Sequence, residues 1–283
     1  MTRPAPRFTW DQSLYQGSAP YYATGRVAYP AELADVIAAE LGLDGRGRLL
    51  DCGCGPGSLT LLLAPLFTSV VGIDADAGMI EQARLAGQRA GASHIDWRQL
   101  RAEELPAGLG QFRLITFAQS FHWVDQAVVA PAVAAMLAPG GACVLVYAST
   151  HEGTPGTDEL EFPRPPRAAI ADLVTSYLGS VRRAGQGVLP GGLPSGGGAA
   201  MRSAGFSKLR QLDAGAGAVH VRTDDEIVAS VFSLSSAAPH LFGTRLAEFE
   251  RALRGLLEAV SPAGMFAERM HGAAIDVWRR GGS

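Results

Sequence analysis

Residues 49–60 read LLDCGCGPGSLT: an acid, Asp51, then Gly53, Gly55 and Gly57 at alternate positions with Cys54 and Pro56 between them. Glycines at this spacing let a backbone turn approach a ligand closely, because no Cβ stands between. After an apolar pair and before an apolar run, such a turn cradles a nucleotide-like ligand. A second acid, Asp74 in SVVGIDA, falls near the offset at which a carboxylate accepts hydrogen bonds from ribose hydroxyls. His122 in QSFHW and His240 in SSAAPHLFG are candidate proton acceptors, since imidazole titrates near neutrality. His94, His151, His220 and His271 have no context that singles them out. No H-E-x-x-H and no Cys/His quartet occurs, so no metal is expected. Cys52, Cys54 and Cys143 read as small buried thiols and not as a disulfide framework.

Alternating elements must position these residues. PAELADVIAAELGL has an apolar face at Leu33, Val36, Ile37 and Leu41, with Pro30 suited to the first helical position. GRLLDCG is a strand entering the glycines, SLTLLLAPLF a helix limited by Pro65, SVVGIDA a second strand and AGMIEQARLAGQRAG a helix. HIDWRQL and FRLITFAQ are the third and fourth strands, DQAVVAPAVAAMLAPGG a helix ending in a Pro-Gly-Gly turn, and ACVLVYAS the fifth strand. Strands separated by helices predict a parallel sheet covered on both faces, with ligands at the carboxyl ends of the strands. The glycines, Asp74, RAEELP and QSFHW all follow predicted strands and therefore converge on one edge.

Beyond residue 150 the pattern weakens. The Gly/Pro stretch at 183–200 reads as a mobile flap or a disordered loop, two states that composition does not separate. TDDEIVASVFSLS opens with a capping box, Thr223 to Glu226. TRLAEFERALRGLLEAV carries a stripe at Leu246, Phe249, Leu253, Leu256, Leu257 and Val260, and AAIDVWRR is a last strand returning to the sheet.

NAD, FAD and S-adenosylmethionine all use such a glycine turn. A dinucleotide fingerprint needs a third glycine where Ser58 stands, and Pro56 offers no N–H to a phosphate. Asp51 would oppose a pyrophosphate. S-adenosylmethionine has no phosphate and carries an ammonium, which Asp51 can meet directly or through water. Asp74 suits either ligand.

LLDCGCGPGS with VVGIDADAGMIEQAR resembles the first two motifs of the class I S-adenosylmethionine-dependent methyltransferases. RAEELP resembles the third, FRLITFAQSFHWVD the fourth and its extension, and MLAPGGACVLV the turn and fifth strand. The SFHW variant is similar to small-molecule enzymes of the trans-aconitate methyltransferase-like group. The resemblance implies an α/β fold, a doubly wound, mostly parallel seven-stranded Rossmann-like sheet with a helical cap. It implies an N-terminal lid over 1–29, a cofactor-binding core over 30–150, and an acceptor-side cap with the last strands over 151–283.

The same resemblance implies residue roles. Asp51, Gly53, Cys54, Gly55 and Gly57 would line the methionine side, and Asp74 the ribose, with Ala75 and Met79 on the adenine. Ala102 would donate its N–H to the adenine with Glu103 beside it, and Gln119, followed by Ser120, would lie near the sulfonium. Within LYQGSAPYYATGRVAYP, Arg26 would meet the cofactor's carboxylate with Tyr22 beside it; one or two of the tyrosines would face the site. Arg101 and Arg113 stand where the family often has acids.

The expected activity is methyl transfer from S-adenosyl-L-methionine, leaving S-adenosyl-L-homocysteine, to an O, N or C nucleophile on a metabolite or natural product. A carboxylate O-methyltransferase of the trans-aconitate type is the alternative, and a non-catalytic cofactor-binding module the alternative of another class. A net charge of −3, with Lys208 the only lysine, argues against a nucleic-acid partner. QSFH is also not the Asn/Asp-Pro-Pro-aromatic sequence of amino-methylating DNA enzymes. No apolar stretch reaches a membrane span of about 18–20 residues, and the N-terminus lacks a signal-peptide core. A cytoplasmic protein with no membrane partner is expected, with room for a homo-oligomer.

Overall fold

A computed structural model describes residues 11, 13–180, 183–184, 187–188, 197–215 and 217–281. In chain order the first half contains α1 (Ala19–Gly25), α2 (Glu32–Leu41), β1 (Arg48–Cys52), α3 (Ser58–Leu63), β2 (Ser69–Asp74), α4 (Ala77–Arg89), β3 (Ile95–Gln99), β4 (Phe112–Ala118), α5 (Gln126–Met136) and β5 (Leu137–Tyr147). The second half contains α6 (Arg167–Leu178), β6 (Arg183–Ala184), β7 (Gly187–Val188), α7 (Gly197–Ser203), β8 (Phe206–Ala214), β9 (Val219–Thr223), α8 (Asp224–Phe232), α9 (Leu246–Val260), β10 (Met265–Arg269) and β11 (Ala273–Arg280).

β1 and β2 are buried along nearly their whole length, as strands covered on both faces must be. The main sheet is seven-stranded in the order β3-β2-β1-β4-β5-β11-β8, with β1 to β5 parallel and β11 antiparallel to both β5 and β8. Strand order reverses between β1 and β4, which opens a crevice at their carboxyl ends. Leu33 and Ile37 of α2 and Leu59 and Leu63 of α3 cover one face with Leu49, Val70 and Leu114. Val129 and Val133 of α5 and Met201 of α7 cover the other with Leu50, Ile115 and Trp278.

Several local expectations shift. Pro30 lies one residue before the N-cap Ala31, so α2 begins at Glu32. At Pro65 the α-helix gives way to a 3₁₀ turn, Ala64–Leu66. Part of the expected 183–200 loop is helical: α7 starts at Gly197, where a Cβ would lie 2.9 Å from the Phe121 ring, so only glycine lets the helix dock there. Residues 185–186 and 189–196 of that stretch, and residues 1–10 and 12 of the expected lid, lie outside the described residues. The edge strand β8, FSKLRQLDA, escaped sequence reading because it is exposed along most of its length and carries no two-residue alternation.

A separate core holds the cap together. Phe232, Phe242 and Phe249 interlock, with Phe242 stacked on Phe249 at 4.0 Å between ring centroids. On α9, Phe249, Leu253 and Leu257 are fully buried, whereas Val260 is exposed at the helix end. The expected capping box forms, with Glu226 N–H donating to Thr223 Oγ1 and Thr223 N–H to Glu226 Oε2. Helices α1 and α8 meet so closely that a Cβ on Gly25 would lie 2.4 Å from the Ala229 backbone, which ties the segment entering Arg26 to the cap. Among the described residues no single helix is long and apolar enough to cross a membrane.

Candidate active site

A cavity of about 140 Å³ lies over the carboxyl ends of β1, β2 and β4. Gly53, Gly55 and Gly57 adopt φ of 65°, 54° and 87°, left-handed values that the turn from β1 into α3 requires. Gly53, Cys54 and Gly55 line the cavity. Gly57 instead caps α3, and a Cβ there would meet Trp97 at 2.6 Å.

Asp51 is 1% exposed and lies beneath the turn, outside the cavity lining. Its Oδ2 accepts from Thr60 Oγ1 at 2.6 Å and its Oδ1 from Thr116 Oγ1 at 2.7 Å. Burial pushes its carboxyl up to about 6, against the lowering effect of both hydroxyls. Of the two expected routes to an ammonium, direct or through water, this arrangement does not present the direct one, because the strand directs Asp51 toward α3. Asp74 does line the cavity. It accepts from Gly55 N–H at 2.9 Å and from Asp76 N–H at 2.9 Å, and burial raises its carboxyl to about 6.

Ala75, Met79, Ala102 and Glu103 line the same cavity. Glu103 accepts from Asp125 N–H at 2.9 Å and pairs with Arg101 at 3.4 Å, so the arginine standing where an acid is frequent is matched by its neighbour. Arg113 bonds to Asp44 and to the Gly42 carbonyl away from the cavity. Gln119 and Ser120 line the cavity beyond β4. Gln119 is left-handed at φ 54° and donates its side-chain amide to the Ala148 carbonyl, while Ser120 Oγ donates to the Cys52 carbonyl at 2.6 Å. These bonds tie the loop after β4 to β1 and to the end of β5.

The two histidine candidates do not line the cavity. The 3₁₀ turn Phe121–Trp123 sends successive side chains about 120° apart. Phe121 enters the core against Phe117, Trp123 faces the cavity, and His122 lies against Trp123 at 4.8 Å. Burial lowers the His122 imidazole to about 4, so it is neutral near pH 7. His240 faces the Gln16 carbonyl through Nδ1 at 2.8 Å.

Tyr15, Tyr22 and Tyr29 all line the cavity, one more than expected, while Tyr21 packs on Phe232 in the cap core. Tyr15 is edge-on to both Tyr22 (6.0 Å) and Trp123 (6.1 Å). Burial holds the Tyr15 and Tyr29 hydroxyls well above the ordinary phenol range. Arg26 reaches the lining, with its guanidinium 4.6 Å over the Tyr22 ring. Sequence reading missed Trp123 and Thr150 as lining residues. Their signal was position: each follows a strand of the parallel sheet at its carboxyl end.

Residues 49–141 match the methyltransferase domain family model. An uncharacterized methyltransferase of Mycobacterium tuberculosis is 32% identical over 171 residues, covering 55% of this chain and 67% of that protein. A ubiquinone biosynthesis O-methyltransferase of Chelativorans sp. is 40% identical over 137 residues, covering 46% of this chain and 51% of that protein. The fold is shared with the [4+2]-cyclase SpnF (TM-score 0.57, 19% identity, 96% of each chain). It is shared also with an S-adenosylmethionine-dependent methyltransferase of Geobacter sulfurreducens solved with S-adenosyl-L-homocysteine (TM-score 0.51, 14% identity, 95% of this chain and 98% of that one). The chain belongs to the class I S-adenosylmethionine-dependent methyltransferases, and S-adenosyl-L-methionine is its cofactor.

Proposed function

We propose that the enzyme methylates a nucleophilic oxygen on a small aromatic or otherwise flat acceptor. The observation that carries this reading is the aromatic wall of Tyr15, Tyr22 and Trp123 beside Gln119 and Ser120 in the cavity. Flat rings stack edge-on or offset against such walls. The likeness of nearly half the chain to ubiquinone biosynthesis O-methyltransferases supports an oxygen acceptor over a nitrogen or carbon one.

The site residues fit the cofactor. When bound, S-adenosylmethionine supplies a methyl group already activated by its sulfonium charge. Gly53 and Gly55 admit its backbone-like methionine portion, Asp74 accepts from ribose hydroxyls, and Ala75 and Met79 flank the adenine with Ala102 and Glu103 at its edge. The Arg26 guanidinium holds the carboxylate, and Asp51 supplies negative potential from beneath the turn. The chain's own task is then alignment, which can contribute roughly 7–11 kcal/mol to such a displacement.

A side-chain base is not assigned. No histidine or lysine lines the cavity, its acids Asp74 and Glu103 accept backbone N–H bonds, and the segments outside the described residues contain no histidine, lysine or acid. His122 acts by supporting Trp123. An acceptor whose oxygen ionises easily, such as an acidic phenol, suits this arrangement.

The purified enzyme, given S-adenosylmethionine and a panel of acidic phenols, aliphatic alcohols and polycarboxylates, is expected to release S-adenosylhomocysteine fastest with a phenol. Fastest turnover with a polycarboxylate would instead favour the trans-aconitate-type reading.

A further inference from the structure

Arg26 is held from several sides. Nε donates to Ser233 Oγ at 2.8 Å and Nη2 to the Ser233 carbonyl at 3.0 Å, so one edge of the guanidinium is occupied by the C-terminal end of α8. What remains for a ligand is the end of the fork formed by Nη1 and Nη2. Two residues after β5 lie beside Nη1: Thr150 Oγ1 and His151 Nδ1, at 3.5 and 3.4 Å. We propose that His151 is a positioning residue of the cofactor site: as a neutral imidazole it accepts from Arg26 and sets the orientation in which the guanidinium fork is offered to the cofactor's carboxylate. The proposal rests on the reading above that Arg26 binds that carboxylate.

The tautomer follows from the partners. A guanidinium only donates, so Nδ1 is the acceptor and the ring proton sits on Nε2. Nε2 lies 3.3 Å from Glu152 Oε1, which accepts that proton. One neutral tautomer thus satisfies both neighbours, whereas a protonated ring would lose its acceptor nitrogen and oppose Arg26 with a like charge. Burial, and the charges of Arg26 and Arg167, hold the imidazole below its ordinary range despite the opposing effect of Glu152.

The charged groups around His151 come from every element packed on it. Arg26 follows α1, Glu152 shares its loop, Arg167 lies on α6, Arg222 on β9 and Glu268 on β10. Arg167 and Arg222 both donate to the His151 backbone carbonyl, at 2.9 and 3.1 Å, and both pair with Glu268. They anchor the main chain and leave the imidazole as the variable part. Exchanging the ring therefore leaves the anchor in place.

Calorimetric titration of the full chain with S-adenosylhomocysteine and with 5′-methylthioadenosine, which lacks the amino and carboxylate groups, tests this. His151→Leu is expected to weaken S-adenosylhomocysteine about tenfold, the lower end of the worth of one hydrogen bond to a charged donor, and to change methylthioadenosine less than about twofold. His151→Asn, whose Oδ1 can stand in for Nδ1, is expected to restore most of the loss. Wild-type affinity for S-adenosylhomocysteine, divided by that of His151→Asn, is expected to fall as acidification protonates the imidazole, which burial holds below its ordinary range; the ratio cancels the protonation of Asp51 and Asp74 that both proteins share.

Equal loss for both ligands in His151→Leu, failure of Asn to rescue, or no loss at all overturns the proposal. Arg26→Gln separates the two levels of the argument. If it weakens S-adenosylhomocysteine while His151→Leu does not, only the role of His151 fails; if it binds as tightly as wild type, the assignment of Arg26 fails and the proposal with it.

Discussion

The cap and the cofactor edge both bury charge, and they treat it in opposite ways. In the cap, Glu268 is 4% exposed and takes Arg167 in bidentate fashion, at 3.0 and 2.6 Å, together with Arg222 at 3.2 Å. The arginines' further protons go to Ser230 and to the carbonyls of Gly25, His151 and Glu226. At the cofactor edge, the buried Asp51 and the part-buried Asp74 are two acids whose hydrogen-bond donors are neutral, and desolvation raises both. A closed ionic network fixes a scaffold, whereas under the proposed function these two acids supply negative potential and a hydroxyl acceptor to the cofactor.

The largest expected effect comes from opening the closed network. Glu268→Leu leaves Arg222, itself 3% exposed, without a carboxylate. A loss of about 3–5 kcal/mol in unfolding free energy is expected by urea denaturation. A loss under about 1 kcal/mol would mean that the cap is held by its aromatic core alone, and the contrast with the cofactor edge would collapse.

An intermediate effect is expected at Asp51. Its folded value, about 6, lies above the ordinary carboxyl range, so its contribution favours the folded state at low pH and is lost as pH rises through 6. The cost at pH 8 is on the order of 1–3 kcal/mol. Asp51→Asn is therefore expected to raise the thermal midpoint of the ligand-free enzyme at pH 8 and to flatten its fall between about pH 4 and 6. The same variant is expected to weaken S-adenosylhomocysteine binding. Unchanged affinity would show that Asp51 serves the sheet and not the ligand.

The smallest effect is expected at His122. If it only supports Trp123, His122→Gln leaves S-adenosylhomocysteine affinity within about twofold and turnover within about tenfold. A drop of 10²–10⁴-fold in turnover with affinity intact is what loss of a general base would produce, and would return His122 to the chemistry.

Legibility in the sequence tracked distance along the chain. The β1–glycine–α3 unit, Asp74 at the end of β2 and the capping box at Thr223 were readable because each rests on backbone rules spanning a few residues. The same rules gave no hint of β8, whose exposed surface lacks a pattern, or of which of His122 and Trp123 faces the cavity. That choice turns on the phase of one 3₁₀ turn. His151 stayed in the background because its partner Arg26 lies 125 residues away.

By itself the sequence determined the order of strands and helices from α2 to β5 and the convergence of acids and glycines on one sheet edge, because apolar period and glycine placement act locally. Tertiary structure alone decided that Asp51 sits below the cavity, that three tyrosines and Trp123 wall it, and that the loop after β5 meets Arg26. Those outcomes depend on side-chain direction and on contacts between segments far apart in the chain. Such contacts are selected by packing and charge once the sheet has closed, and no local pattern encodes them.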